Sequence, residues 1–268
     1  MQIQMVTFSA VKDGNAAGEW QDGACGGVAA DGSWARFVVL DGATTAYDPV
    51  RWVDQLVRSF APQAAGFLGP RLESASMRDW FARMQDEWAA EARNFDSIIE
   101  ERKFAEVGSF ATLLGFDIYG LDGPEPFWRA VALGDTVLFH VRAGRLIAAF
   151  PPMGPDDFGT LPDGVHTAPA SLDRMTERLL TGGGTVEAGD FLFAATDAMA
   201  QWILRTVERD EARVWNALTT LAHPDVFARL VGDQRREQDG AKRMKNDDVT
   251  LMRLRMLAGQ PAYLLACR

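Results

Sequence analysis

Six aspartates stand where short apolar runs begin or end. Asp41 closes Phe37-Val38-Val39-Leu40, and Asp197 follows Phe191-Leu192-Phe193-Ala194-Ala195-Thr196. Asp247 and Asp248 precede Val249-Thr250-Leu251, Asp135 sits between two apolar runs after Leu133-Gly134, and Asp22 lies just before a Gly-rich segment that enters another. A carboxylate at the end of a buried strand is poorly solvated and needs a compensating charge or hydrogen bonds. Several converging at one sheet edge would repel one another unless cations sat among them. Hard oxygen donors of this kind suit magnesium, manganese or calcium. Two such ions can share a bridging carboxylate, bind a phosphate and generate a nucleophile from water. Taken singly, each aspartate also has an ordinary use, because Asp-Gly is a common turn dipeptide and Asp often caps helices.

Other chemistry is thinly represented. The histidines, His140, His166 and His223, have no zinc-ligand spacing. His140 reads as half-buried packing in a strand, His223 precedes a helix start at Pro224, and His166 is a candidate proton donor from a Pro-Gly loop. Gly182-Gly183-Gly184 lacks the Lys-Ser/Thr of a phosphate-binding loop and reads as a turn before a strand. No Gly-x-Ser-x-Gly elbow is present. Cys25 and Cys267 form no CxxC pair, so they read as reduced thiols and not as a zinc site. Arg235-Arg236 with Lys242-Arg243-Lys245 reads as a solvated basic face leading into the last acidic motif.

The elements that position these residues follow from hydrophobic period and punctuation. Strands are expected over Ile3–Val11, Trp34–Leu40, Phe110–Tyr119, Phe127–Leu133, Val137–Val141, Arg145–Phe150, Asp190–Ala195, Val249–Leu257 and Ala262–Cys267. The last two are joined by a turn at Ala258-Gly259-Gln260. Asp48-Pro49 starts a helix with Val50, Val53, Leu56, Val57 and Phe60 on its apolar face. A long helix is expected over Ser76–Ala105, with Met77, Trp80, Phe81, Met84, Trp88, Phe95 and Ile98 as a packing stripe. Ser171 caps a short helix bearing Leu172, Met175 and Leu179. Helical segments then follow Asp197 to about Arg236. Strands at both ends with helices grouped between them indicate α+β. No repeat or long linker divides the 268 residues, so one domain is expected.

Composition excludes several classes. Lys plus Arg is 27 against 37 Asp plus Glu, a net charge of -10. That disfavours nucleic acid and anionic membrane surfaces as partners. It does not disfavour a phosphorylated substrate, since bound cations reverse the local sign. The first ten residues lack the pattern of a signal peptide, and no apolar run reaches the ~20 residues of a membrane helix. A cytoplasmic protein is expected.

In order along the chain, the acidic segments resemble the motifs of the metal-dependent, type 2C protein phosphatases, in their compact bacterial branch. Glu19-Trp20-Gln21-Asp22-Gly23 resembles the first acidic motif, and Val38-Val39-Leu40-Asp41-Gly42-Ala43 the hydrophobic run ending in Asp-Gly. Gly108-Ser109-Phe110-Ala111-Thr112 is similar to the Gly-Ser-Thr strand entry. Ala132-Leu133-Gly134-Asp135-Thr136 resembles the Gly-Asp-Ser motif that precedes a hairpin. Gly189 to Ala198 resembles the late Thr/Ser-Asp-Gly motif, and Asn246-Asp247-Asp248-Val249-Thr250 the closing Asp-Asn-x-Thr. The resemblance implies an α-β-β-α sandwich of two antiparallel sheets flanked by helices. It implies two manganese or magnesium ions held by Asp22, Asp41, Asp197 and Asp247, with Asp41 bridging and the Gly42 carbonyl contributing. Asp135, with Asp197, would serve a third, weaker site. Asp248 would brace the closing motif, and Asp190 would hold a strand turn. The implied activity is hydrolysis of phosphoserine or phosphothreonine on proteins, by a monomer.

The sequence departs from the pattern at three places. Gln21 replaces the glutamate before the first aspartate, Ala17 and Gly18 stand where many relatives have a phosphate-holding arginine, and Ala198 replaces a glycine. Lys12 and Arg51 are the candidate substitutes for the arginine. The first two departures keep two rivals open: a catalytically impaired binding or regulatory module of the same fold, and an esterase for small phosphorylated metabolites.

Overall fold

Strand β3 (Trp34–Gly42) has no polar side. Phe37 and Val39 belong to one apolar cluster, Val38 and Leu40 to another, and all four are fully buried. Side chains alternate across a strand, so a run apolar at every position must be covered on both faces. β4 (Phe110–Tyr119) repeats this with Leu114 and Phe116 against Ala111 and Leu113, and β10 (Phe191–Ala195) with Leu192 and Ala194 against Phe193 and Ala195. Both-face burial forces four layers: helices, sheet, sheet, helices.

The structure, a computed structural model, describes residues 1–29, 32–61, 69–91, 93–159, 162–236, 243–259 and 262–267; at 17 and 262–267 the description is of the backbone. One sheet has the order β12 (Ala262–Cys267), β1 (Gln2–Ala10), β11 (Val249–Leu257), β10, β6 (Val137–Arg142), β7 (Arg145–Phe150). The other runs β2 (Gly23–Val28), β3, β4, β5 (Phe127–Leu133), β9 (Leu180–Thr185), with the two-residue β8 (Val165–His166) also on β4. Helix α1 (Pro49–Phe60) and α2 (Ser74–Ala90) cover the second sheet; α5 (Asp197–Thr219) and α6 (Pro224–Arg235) cover the first. The remaining helices are α3 (Ile98–Glu106) and α4 (Leu172–Arg178). This is the expected α+β sandwich, antiparallel except that β12 runs parallel to β1. β1 takes the place beside β11, so the last two strands do not form a hairpin. Gln260 of the expected turn lies outside the described residues. No helix among the described residues is long and apolar enough to cross a membrane.

The expected long helix is two. α2 stops at Ala90, and α3 starts afresh with Ser97, whose side chain accepts from the Glu100 amide at 3.2 Å while Glu100 reaches back to the Asp96 amide at 2.9 Å. The Ser-x-x-Glu spacing is a helix-start signal that the aromatic periodicity obscured. The break lets Phe95 and Phe104 fold against Tyr47 and leaves Ile98 69% exposed instead of packed. On α1 Val50 also faces solvent, and Trp52 takes its place in the core. Gly182–Gly184 are not a turn but the middle of edge strand β9, opposite Ala130, Arg129 and Trp128 of β5. A Cβ on Gly182 would meet Phe150 at 2.5 Å and one on Gly184 the Trp128 indole at 2.9 Å, so two aromatic rings take the space of the missing side chains.

The same device fixes α1 on its sheet. Phe60 lies directly over Gly115 of β4, where a Cβ would fall 2.1 Å from Phe60 Cζ. Gly115→Ala is expected to cost about 1–3 kcal/mol through overpacking. Gly18→Ala, with nothing within 4 Å, is expected to change stability by less than about 0.5 kcal/mol. Urea denaturation of both variants checks this; equal stabilities would mean that α1 is free to shift.

Candidate active site

The strand ends of both sheets meet at a cavity of about 150 Å³, lined by Asp41, Thr112, Asp135, Asp197, Asp247 and Lys245 among others. Asp41 is carried there by β3, in register with Thr112 of β4. Gly42 is still strand, not turn. A Cβ there would lie 2.5 Å from the Gln21 carbonyl oxygen, so the glycine lets the segment carrying Asp22 cross close to β3. Asp135 follows Gly134, whose φ of +107° favours glycine and where a Cβ would meet the Asp163 carbonyl oxygen at 2.4 Å. Asp197 opens α5 at the end of β10 and accepts from the Ala198 amide, a favourable place for negative charge. Asp247 immediately precedes Asp248 and β11.

Asp22 is buried, and its Oδ2 accepts from Thr196 Oγ1 at 3.1 Å and Thr250 Oγ1 at 2.7 Å. Its Oδ1 has no hydrogen-bond partner among the described residues, and neither has either oxygen of the buried Asp135. These are the features a cation would relieve, because an unpaired buried carboxylate is costly. Burial first, then Asp22, Asp197, Asp135 and Asp247, push the Asp41 carboxyl well above its usual range. Asp22 is raised by burial and by Asp248 and Asp197, against the pull of its threonine hydroxyls. Asp135 is pushed up to about 7 by burial and Asp197.

Among the described residues no three of these side chains are arranged to close around a metal ion. Three of the acids are engaged elsewhere in the present arrangement. Asp22 is drawn to its threonines, and Lys245 Nζ stands 2.5 Å from Asp197 Oδ2 and 2.8 Å from Asp247 Oδ2. The donor set is of the hard-oxygen type that magnesium and manganese take. It therefore fits such ions in chemistry, with Lys245 supplying charge in the present arrangement.

The surrounding residues brace this centre. Asp248 accepts from the Lys12 amide at 2.9 Å and the Gln21 amide at 2.8 Å, the bracing use expected of it. Arg235 is not on a solvated face: it is buried, donates to the Val11 carbonyl at 2.7 Å and to that of Asp247, and so holds the acidic loop from beneath. Lys242 lies outside the described residues. Lys12 Nζ donates to Thr44 Oγ1 at 3.1 Å, and Thr44 lines the cavity, whereas Arg51 pairs with Glu91. Gln21 Oε1 is buried without a hydrogen-bond partner among the described residues. Asp190 receives His140 and Arg142 at 2.8 Å, which ties the neighbouring strands β6 and β10 together, and His140 is fully buried, not half-buried. His166 stacks on Phe110 with ring centroids 4.8 Å apart and lines a neighbouring cavity, not the acidic one. Sequence reasoning missed Lys245 as a partner of the acids, having placed it in a charge run. It also missed the hydroxyls of Thr196 and Thr250, although both stand in the quoted motifs.

Between 3.8 and about 7, folded Asp135 holds a proton that the unfolded chain has released. Stability of the metal-free protein therefore falls as pH rises through that window, and the raised Asp22 and Asp41 act in the same direction. Asp135→Asn is expected to flatten this dependence. At about pH 8 it should raise Tm by roughly 5 °C, the shift that about 2 kcal/mol produces in a chain of this size. Thermal denaturation across pH checks it, and a profile identical to wild type would remove Asp135 from the repulsive set.

No family model and no curated protein matches the sequence significantly. Solved structures do match. A bacterial serine phosphatase aligns over 96% of this chain and 98% of its own, with a TM-score of 0.60 at 9% identity. The S. agalactiae serine/threonine phosphatase aligns over 95% of this chain and 99% of its own, with a TM-score of 0.55 at 13% identity. The PP2C phosphatase domain of the Bacillus subtilis cell fate determinant SpoIIE, with a fragment of its regulatory domain, aligns over 97% of this chain and 64% of that one, at a TM-score of 0.50 and 13% identity. At these identities the likeness speaks for the fold: this chain has the fold of the PP2C-type phosphatases.

Proposed function

We propose that the chain is one domain that hydrolyses phosphate esters, with phosphoserine or phosphothreonine of other proteins as substrate. The observation that carries the reading is the accumulation of Asp41, Asp135, Asp197 and Asp247 in one cavity, with Asp22 beside them and three of their oxygens buried without partners among the described residues. Two manganese or magnesium ions would be held by Asp22, Asp41, the Gly42 carbonyl, Asp197 and Asp247, and Asp135 with Asp197 would serve a third. Such ions supply Lewis-acid stabilisation of the phosphoryl oxygens and activation of water. The chain's own contribution is positional. Thr196 and Thr250 fix Asp22, and Asp248 fixes the Gln21 and Lys12 backbones. Lys12, bonded to Thr44 at the cavity wall, is the candidate to hold a phosphoryl oxygen in place of the missing arginine. A protein substrate, a monomeric state, a cytoplasmic location and no nucleic-acid or membrane partner accompany this reading; the net charge of -10 supports the last.

A second reading has its own observation. Lys245 already bridges Asp197 and Asp247, and Gln21 replaces a carboxylate, as in a binding or regulatory module without turnover. Hydrolysis of p-nitrophenyl phosphate and of a phosphothreonine peptide separates the readings. Wild type is expected to turn over with manganese and to stop with EDTA. Asp41→Asn is expected to lose about a thousandfold or more in kcat, equivalent to several kcal/mol of charge stabilisation. A folded wild type inactive with both manganese and magnesium would favour the module. Lys12→Met is expected to raise KM about tenfold with kcat little changed, the signature of lost ground-state binding; an unaltered KM would reassign that contact. Comparing the peptide with a sugar phosphate distinguishes the protein substrate from a small metabolite.

A further inference from the structure

Lys245 is the one basic side chain among the described residues that line the acidic cavity. Its ammonium touches Asp197 and Asp247, at 2.5 and 2.8 Å, while its side chain remains 46% exposed. It reaches in from the loop before β11 and is not built into a core. Both oxygens of Asp135 and Oδ1 of Asp22 are buried without hydrogen-bond partners among the described residues. A single monovalent charge thus answers two of the four carboxylates that line the cavity. A divalent cation settling on Asp197 and Asp247 would meet the ammonium in the space it needs, and two like charges in contact cannot share that space. The longer stem of lysine, with rotatable bonds throughout, lets the ammonium leave the carboxylates without disturbing the backbone.

We propose that Lys245 is a displaceable counter-ion. It holds the Asp197–Asp247 pair in the metal-free protein and is driven off by the divalent cation. Tethered at the cavity mouth, its ammonium then receives a phosphoryl oxygen of the substrate, a role suited to a point charge with three donors and no acceptor. The inference rests on the metal-dependent reading above. It adds that the chain carries its own competitor for the metal, so that occupancy by the cation and exposure of a phosphate-binding ammonium are a single event.

The test is calorimetric titration of manganese into the metal-free, full-length protein, with Tm of the metal-free form and inhibition of the manganese-loaded enzyme by inorganic phosphate as further readouts. Lys245→Met is expected to bind manganese about tenfold tighter, a coupling of the size found between competing ligands. The same variant should lower the metal-free Tm and weaken phosphate inhibition about tenfold. Lys245→Arg is expected to restore the Tm and the inhibition. Lys12→Met removes the same charge from an ammonium that bonds Thr44, and is expected to change manganese affinity much less than Lys245→Met. Unchanged or weaker manganese binding in Lys245→Met, or an equal gain in Lys12→Met, overturns the counter-ion. Tighter manganese binding with unaltered phosphate inhibition overturns the phosphate contact. A wild type that binds no manganese, matched by Asp41→Asn, defeats the metal-dependent reading itself, an outcome distinct from metal binding that ignores Lys245.

Discussion

Carboxylates brought to one cavity repel one another, and the fold does nothing to separate them. Burial adds to the cost, because the charged forms of Asp22 and Asp135 lose water without gaining full sets of hydrogen bonds among the described residues. Much of the surrounding structure is intelligible as a response. Thr196 and Thr250 donate to Asp22, the first turn of α5 faces Asp197, and Lys245 spans Asp197 and Asp247. Arg235 holds the backbone of the acidic loop from below. Every one of these contacts stabilises negative charge or the segment that bears it.

The sandwich explains why the acids can be concentrated only where they are. Strands β3, β4 and β10 are covered on both faces, so a carboxylate within them needs a buried partner, as Asp117 of β4 has in Arg36 of β3 at 2.7 Å. Their ends are the first positions where a charged group can meet a cavity. Both sheets present ends at the same place, and neighbouring strands of one sheet bring Asp197 and Asp247 together. The close crossing of the Gln21 backbone over Gly42 then adds Asp22 from the other sheet.

How much of this was legible in the sequence varied with the range of the interaction. β4, β5, β7 and β11 fell where period and turn residues placed them, because an apolar run bounded by Gly, Pro or Asp has few alternatives. The aspartates of the site were legible through their position at the ends of such runs. The break between α2 and α3 was not, because the aromatic period of the two helices continues across it and the signal at Ser97 is local and weak. Gly182–Gly184 misled for a different reason. Their backbone is an ordinary strand, and the demand for glycine comes from Phe150 and Trp128, which are distant in sequence. Lys245 and Arg235 shared a charge run, yet one reaches a cavity and the other is buried; which cations of one run turn inward depends on tertiary packing that no local pattern encodes.

Asp248 touches the amides of Lys12 and Gln21 across 236 and 227 residues of chain. The site is therefore a seam between the two ends of the sequence, closed by a side chain that belongs to neither wall of the cavity. Without the segment that carries Asp248 and Thr250, Asp22 lacks a hydroxyl donor and the loop before β2 lacks its clasp. Contacts of such separation form late and slowly. The acidic centre is therefore assembled only where the segment holding Lys12 and Gln21 meets the segment before β11.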